Sequence, residues 1–362
     1  MPKVLLPFYD DSTLFFARRM YDGLMAKGVQ AVIGHHVSSE NYVGISERQR
    51  LVSLGDIEPA LLDTNFFTPS GGMAEFEAVI CCKITKEIRA LLESDYRLRR
   101  NRPCFLAFQP GLEFTPLIGF RNRKQFDAIF LNNELSRKRY LAEMEVGFQQ
   151  HVSWGHPYMV KPAHLRQDTG GDIYFFTQAL SPRTFDARHH IVEVLVAMAE
   201  AYPERKVVLK LRHLPNENTE HVHKERYDYI SLLPNSLPSN LVYSDCSMVE
   251  ALESASIAMT CTSTAAMDAI SAGLPTMVYL DYVENYLDPM MYPMRKLMGG
   301  SGVLSSLTQV LNLDAKHAES TWVEQNFRAS DLYDEVLSVI SSFKQEGSNQ
   351  GCLQCQPRYE NT

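Results

Sequence analysis

The feature that most constrains the fold is an alternation of short apolar runs with amphipathic stretches, which occurs twice along the chain. This order builds a parallel sheet with helices on both faces. The strands predicted in the first half are residues 3–8, 30–34, 78–82, 104–108, 128–131 and 150–154. Those predicted in the second half are residues 173–176, 206–211, 241–243, 257–260 and 276–280. The sequence therefore predicts an α/β protein with two Rossmann-like, doubly wound domains that face a central cleft.

Helix and loop signals divide the chain into these two halves. Residues 12–27 predict a helix with Phe16, Met20 and Leu24 on one face, and residues 187–201 predict another. Residues 155–171 are rich in proline, glycine and polar residues, which is typical of a linker. We therefore expect an N-terminal domain at 1–160, a C-terminal domain at 170–343 and a disordered tail at 344–362.

Composition and charge exclude several classes of protein. The chain has 362 residues, enough for two domains, and its net charge of −8 argues against a nucleic-acid partner. Its first apolar run is too short for a signal peptide, and no run reaches the roughly 18 apolar residues of a membrane-spanning helix. We expect a cytoplasmic protein, which is compatible with peripheral association at the inner face of a membrane.

The cysteines and histidines give little support for a metal site. The seven cysteines show no framework spacing. Cys352 and Cys355 form a single CxxC in a polar tail, so zinc binding and an exposed tail both stay open. His221, His223 and Glu225 match no standard zinc spacing. We expect an enzyme that needs neither a metal nor another cofactor.

Residues 257–275 carry the strongest functional signal. An apolar strand ends in the hydroxyl side chains of Thr262, Ser263 and Thr264, and a helix of small residues follows. Hydroxyls and free backbone amides at the carboxyl edge of a parallel sheet can hold a phosphate, whereas simple helix capping is the alternative. The chain returns to the sheet directly at Gly273-Leu274-Pro275, and this context favours phosphate binding.

A second segment places basic side chains at a strand end. The strand at 206–211 brings Lys210, Arg212 and His213 to its carboxyl end, where they can neutralise a phosphate leaving group. Glu217 can accept hydrogen bonds from a ribose, although a solvated loop is the alternative. The loop after 173–176 can contact a nucleotide or be an ordinary connection. The further candidates for donor binding in these two segments are Gln178 and His223.

The first half offers carboxylates for acid–base chemistry. Asp11 follows the first strand where a helix begins, so it can act as a general base for an acceptor hydroxyl or only favour the helix terminus. Glu113 lies with Gln109 in a second strand-end loop, which its proline and glycine can equally shape as a turn. P-loop and GxGxxG patterns are absent, which removes support for NTP hydrolysis and dinucleotide redox chemistry.

Several of these segments together resemble a bacterial family of proposed glycosyltransferases, a domain family of unknown function. The segment 209–212 with Glu217, 223–225 and Tyr229 resembles one of its patterns, and residues 260–269 resemble the next. Asp10-Asp11-Ser12 and Gln109-Pro110-Gly111 resemble two earlier elements. The resemblance implies a GT-B fold and a metal-independent glycosyltransferase. The N-terminal domain would bind the acceptor, and the C-terminal domain would bind the nucleotide sugar.

A more distant similarity concerns the donor. The hydroxyl cluster is similar to the Ser/Thr motif of bacterial sialyl- and polysialyltransferases, which also use a His-Pro pair. Here the sequence reads His213-Leu214-Pro215, which leaves the role of His213 open. The resemblance implies a CMP-activated nonulosonic acid and a glycan or glycoprotein acceptor, in capsule, lipopolysaccharide or flagellin glycosylation.

Two other functions remain open at the level of sequence. A sugar-nucleotide epimerase or hydrolase would use the same scaffold without an acceptor. A two-lobed protein that binds a small solute would share the architecture without catalysis. The sequence specifies neither the oligomeric state nor the stereochemistry of a transfer.

Overall fold

The structure is a computed structural model. It describes residues 2–37, 44–99, 101–111, 116–145, 150–218, 220, 223–328 and 331–353. The named strands pair in parallel throughout and form two sheets. The two Rossmann-like domains predicted from the sequence are therefore confirmed.

The first sheet has seven strands in the order β3-β2-β1-β4-β5-β6-β7. Its strands are β1 (Lys3–Phe8), β2 (Gln30–His36), β3 (Ala60–Leu62), β4 (Ala78–Cys81), β5 (Cys104–Phe108), β6 (Ala128–Leu131) and β7 (His151–Trp154). The helices between them are α1 (Asp11–Ala26), α2 (Glu47–Leu54), α3 (Lys86–Glu93), α4 (Pro116–Arg123) and α5 (Glu134–Glu143). The inner strands are buried on both faces, which explains their continuous apolar sequence.

The second sheet has six strands in the order β10-β9-β8-β11-β12-β13. Its strands are β8 (Asp172–Phe176), β9 (Val207–Lys210), β10 (Leu241–Ser244), β11 (Ala255–Thr260), β12 (Thr276–Tyr279) and β13 (Leu304–Ser305). The helices of this half are α6 (Phe185–Ala201), α7 (Tyr229–Leu232), α8 (Met248–Ser254), α9 (Ala265–Ser271), α10 (Met291–Met298), α11 (Leu307–Leu311) and α12 (Ser320–Asn326). The sequence did not predict β3 and β13, because both are very short edge strands.

The last helix, α13 (Leu332–Leu353), returns to the first half of the molecule. Leu332, Val336 and Ile340 are buried in the core that α1 and the first sheet share. The helix continues to Leu353, past residue 344, where the sequence analysis expected a tail to begin. The sequence analysis expected residues 332–343 to belong to the second domain, but the apolar face of this part of α13 packs against the first domain.

The described part of the chain contains no helix long and apolar enough to cross a membrane. Five cysteines in the described part of the chain are free thiols, and all but Cys246 are buried: Cys81, Cys82, Cys104, Cys246 and Cys261. Between β7 and β8 the chain forms neither a helix nor a named strand. This segment passes close to the end of α9, where the His164 carbonyl oxygen approaches Gly273.

Candidate functional site

The carboxyl edges of the two sheets meet through Asp11 and Arg212. Asp11 begins α1 directly after β1, and Arg212 follows β9 in the second half. The Arg212 Nε and Nη2 atoms donate to Oδ2 of Asp11 over 2.9 and 2.5 Å, and the Asp11 residue is only 1% exposed. The Thr177 hydroxyl accepts a hydrogen bond from the Arg212 backbone amide. The structure thus brings a candidate base and a candidate phosphate ligand together in one crevice.

Glu217 forms a second link between the halves. Its carboxylate accepts hydrogen bonds from Arg48 Nε at 2.8 Å, Arg48 Nη2 at 2.9 Å and the Ser46 hydroxyl at 2.9 Å. It also accepts one from the Leu214 backbone amide. Burial opposes ionisation, but these donors outweigh it and lower the pKa of Glu217 to about 2. Glu217, which the sequence analysis expected to bind a ribose, is therefore already hydrogen-bonded to residues of the first half.

The hydroxyl loop after β11 faces a loop of the first half. A Cβ atom added to Gly111 would lie 3.0 Å from Cγ2 of Thr264, so the two loops are in contact. Thr262 is 1% exposed, and its buried hydroxyl oxygen has no hydrogen-bond partner among the described residues. Thr264 makes no side-chain capping bond, whereas the Ser263 hydroxyl accepts one from the Ala265 amide. Helix capping thus accounts for Ser263 alone, and two hydroxyls of the loop are not used by α9.

Two other donor-binding candidates have local partners. Burial lowers the pKa of Lys210, and its Nζ atom donates to the adjacent Leu211 carbonyl oxygen over 2.7 Å. Asp245 and Glu250 act on this ammonium group from the side of α8. The Gln178 Oε1 atom accepts a hydrogen bond from the Leu180 amide inside its own loop. Both side chains therefore support local structure in this conformation.

The two candidate histidines differ in their surroundings. His213 is buried, and its Nε2 atom lies 3.2 Å from Oδ1 of Asn218. His223 is partly buried, and burial lowers its pKa, an effect to which Arg212 adds and which Asp11 opposes. His223 is thus near the Asp11–Arg212 pair.

Some candidates lie outside the described residues. These are Glu113, His221 and Cys355. Among the residues that the structure describes, no three His, Cys, Asp or Glu side chains group in a way that could hold a metal ion.

Three charged side chains that contact the candidate segments carry no motif that sequence reasoning could have used. Arg48 bridges to Glu217 and also to Asp245. Lys83 contacts Asp10 over 2.8 Å, while Asp10 caps α1 through the Thr13 amide. Arg188 is buried and bonds the carbonyl oxygens of Gln178, Ala179 and Pro182 and the carboxylate of Glu225, which holds the loop after β8 in place.

A weaker polar contact joins the halves behind the hydroxyl loop. The Arg19 Nη2 atom of α1 lies 3.4 Å from Oδ1 of Asp268 in α9. Burial raises the pKa of Asp268 to about 6, although Arg19 opposes this shift. Asp268 lies in α9, which begins directly after the hydroxyl loop. The contact therefore helps to fix the position of α9 against the first domain.

Comparison with known proteins agrees with this arrangement. Residues 11–342 match the family described as "Putative glycosyltransferase (DUF6716)". No curated protein matches the chain. A solved structure described as a putative UDP-N-acetylglucosamine 2-epimerase from Listeria monocytogenes has a TM-score of 0.61 at 13% identity, covering 100% of this chain and 99% of its own.

Two further solved structures show the same fold. The UDP-GlcNAc 2-epimerase from Methanocaldococcus jannaschii has a TM-score of 0.58 at 9% identity, covering 94% of this chain and 99% of its own. The UDP-GlcNAc 2-epimerase from Neisseria meningitidis, solved with bound UDP-GlcNAc, has a TM-score of 0.56 at 13% identity, covering 95% and 100%. With the two facing sheets, this likeness confirms the GT-B architecture that the sequence predicts.

Proposed function

The chain belongs to the family of putative glycosyltransferases that its residues 11–342 match, and from this premise we propose that it transfers a sugar from a nucleotide donor to an acceptor hydroxyl. The observation that carries the proposal is the meeting of Asp11 and Arg212 at the facing carboxyl edges of the two sheets. Ligands of open α/β sheets bind at such edges. The site therefore combines a carboxylate with a cation that suits a phosphate.

We assign the donor to the second half. Its phosphate would lie against the loop of Thr262, Ser263 and Thr264, where two hydroxyls are not used by the helix. Arg212 would turn from Asp11 to the leaving phosphate, since a guanidinium group binds phosphate oxygens well. Donor binding would thereby release the Asp11 carboxylate.

The released carboxylate can then act as a general base. The acceptor hydroxyl would give its proton to Asp11 while its oxygen forms a bond to the anomeric carbon. The bond between that carbon and the phosphate oxygen breaks, and its electron pair leaves on the nucleotide. Arg212 offsets the charge that develops on the phosphate. No step in this scheme uses a metal ion.

The identity of the donor is a finer part of the proposal. The similarity to sialyltransferases favours a CMP-activated nonulosonic acid and an acceptor at a bacterial surface. The enzymes that share the fold include one solved with UDP-GlcNAc, which favours a UDP-sugar. A thermal-shift panel of CMP, CDP, UDP, GDP and TDP separates these, because a ligand that binds the native state raises the unfolding temperature. If none of them raises it, the proposed donor site is wrong.

Substitutions test the assigned roles once a donor is known. We expect Asp11→Asn to reduce nucleotide release by at least about 100-fold, because a general base contributes on the order of 10²–10⁴-fold. Nucleotide affinity should not fall, because Arg212 no longer has to leave an ionised Asp11 before it binds the phosphate. Asp22→Asn is the matched control, an exposed carboxylate on the same helix. Unchanged turnover in Asp11→Asn would remove this residue from the mechanism.

Epimerisation is a second candidate, since the full-length fold neighbours include UDP-GlcNAc 2-epimerases. It would need no acceptor. Product analysis with donor alone distinguishes the two, because an epimerase converts the sugar nucleotide itself whereas a transferase leaves it intact until an acceptor is added.

A further inference from the structure

A second polar cluster lies in the first half, outside the Asp11–Arg212 pair. Tyr9 follows β1, His36 ends β2, and Glu87 lies in the first turn of α3 after β4. The strands β2, β1 and β4 are neighbours in the sheet, so the three side chains share its carboxyl edge. The Tyr9 and His36 rings are in contact, with centroids 4.9 Å apart. We define these three residues as the edge cluster.

The edge cluster contains buried polar atoms without partners. His36 is 2% exposed, and neither of its ring nitrogens makes a hydrogen bond to a residue that the structure describes. Within the described part of the chain, the Glu87 Oε2 atom and the buried Tyr9 hydroxyl also lack a partner of normal geometry, although the Thr85 hydroxyl is close enough to Tyr9 to act on its pKa. Each such group destabilises the folded protein when it is desolvated and unpaired. Several unpaired polar groups side by side are unusual in a protein core, because buried polar groups are normally hydrogen-bonded. A ligand that supplies the missing partners would remove this destabilisation.

The chemistry of the cluster indicates its ligand class. Burial lowers the pKa of His36, so the neutral imidazole offers one donor and one acceptor nitrogen at neutral pH. Tyr9 adds a hydroxyl and Glu87 an acceptor oxygen. Such a mixture matches groups that both donate and accept hydrogen bonds, as sugar hydroxyls do. The Glu87 carboxylate disfavours an anionic ligand. The rings of Tyr9 and Phe67 flank His36 and provide apolar faces.

The cluster also adjoins the proposed base along the chain. Tyr9 directly precedes Asp10 and Asp11, and Lys83 bonds Asp10 while lying over the Tyr9 ring at 6.0 Å. A group bound by the cluster would therefore sit beside the proposed site of transfer. We propose that Tyr9, His36 and Glu87 form a subsite that binds hydroxyls of the acceptor, and that this acceptor is a carbohydrate. The proposal rests on the function proposed above.

Binding of simple sugars without nucleotide tests this subsite directly. The probes are the methyl glycosides of glucose, galactose, mannose and N-acetylglucosamine, followed by ligand-observed saturation-transfer NMR. We expect at least one to bind the wild-type chain. Its affinity should fall at least tenfold in Tyr9→Phe and in His36→Leu. Tyr229→Phe is the matched control, because it removes another buried, unpartnered tyrosine hydroxyl in the second half.

Folding is checked by the unfolding temperature of each variant. Tyr9→Phe deletes one buried oxygen whose nearest partner among the described residues is the Thr85 hydroxyl, so its stability should stay close to that of the wild type. Any loss of sugar binding is then a loss of contacts. If no glycoside binds the wild type, or if Tyr9→Phe and His36→Leu bind as tightly as Tyr229→Phe, the subsite is overturned. Nucleotide binding in the same samples reports separately on the donor site, so the two proposals can fail independently.

Discussion

At the residue scale, Glu217 shows how a side chain expected to bind substrate can also hold the domains together. It is nearly buried, and Arg48 and Ser46 of the opposite half supply its hydrogen bonds. Because the ion pair is between domains, its strength depends on how the halves are closed. A ribose that hydrogen-bonded to Glu217 would have to displace Arg48. Donor binding and the contact between the two domains are therefore coupled at this residue.

The lowered pKa of Glu217 makes this contact dependent on pH. A carboxyl group with a pKa near 2 in the folded state and 4.5 when unfolded contributes stability above pH 4.5, which is lost as the pH falls toward 2. The contribution is at most about 3.5 kcal/mol at pH 7, from about 1.4 kcal/mol per pKa unit. The free energy of unfolding of wild type minus that of Glu217→Gln should therefore be positive at pH 7 and shrink below pH 4.5.

Denaturant unfolding of both proteins at pH 7, 4.5 and 3 measures this difference. Glu335, whose pKa is also lowered to about 2, is present in both and cancels. A difference that stays constant between pH 7 and pH 3 would contradict the assignment.

At the scale of elements, the turn between α9 and β12 depends on Gly273. Its φ is +73°, and a Cβ atom there would lie 2.1 Å from the backbone oxygen of His164. The turn holds α9 against the segment between β7 and β8, and α9 in turn carries the hydroxyl loop. The position of the candidate phosphate site is thus fixed partly by a glycine about ten residues away.

We predict that Gly273→Ala destabilises the protein by more than about 3 kcal/mol, because strain in the backbone and a clash with a main-chain atom add. Gly300→Ala is the matched control, since its φ is +78° and nothing lies within 4 Å of the added Cβ. It should cost only about 1–2 kcal/mol. Urea unfolding measures both, and equal losses would show that the contact with His164 is unimportant.

At the scale of the whole molecule, α13 connects the end of the described chain to the first domain. Val336 and Ile340 are at most 2% exposed and pack in the core of the first sheet. The first domain is therefore completed by residues more than 300 positions from its first strand. Its stability depends on a helix that follows the second domain in sequence.

Ile340→Ala should lower the stability of the first domain by about 2–5 kcal/mol, the usual cost of such a cavity. The two tryptophans allow this to be observed, because Trp154 lies in the first sheet and Trp322 in α12. In a Trp322→Phe background, the fluorescence of Trp154 during urea unfolding reports on the first half. The exposed Ser338→Ala on the same helix is the control, and an equal effect of both substitutions would refute the prediction.

The sequence by itself determined the local elements and their order. The apolar runs at Lys3–Phe8, Cys104–Phe108 and Ala128–Leu131 became strands with the predicted bounds, since strands buried on both faces have a recognisable continuous pattern. The loops after the first two of these strands hold the candidates Asp11 and Glu113, because ligands of open α/β sheets bind at the carboxyl ends of parallel strands.

Only the tertiary structure decided which loops meet. Three examples are long-range contacts: Asp11 with Arg212, Arg48 with Glu217, and α13 with the core of the first half. No local periodicity specifies them, because they depend on how two separately folded sheets are oriented. The unpartnered nitrogens of His36 became visible for the same reason, since burial and hydrogen bonding belong to the surroundings of a residue in space and not to its neighbours in sequence.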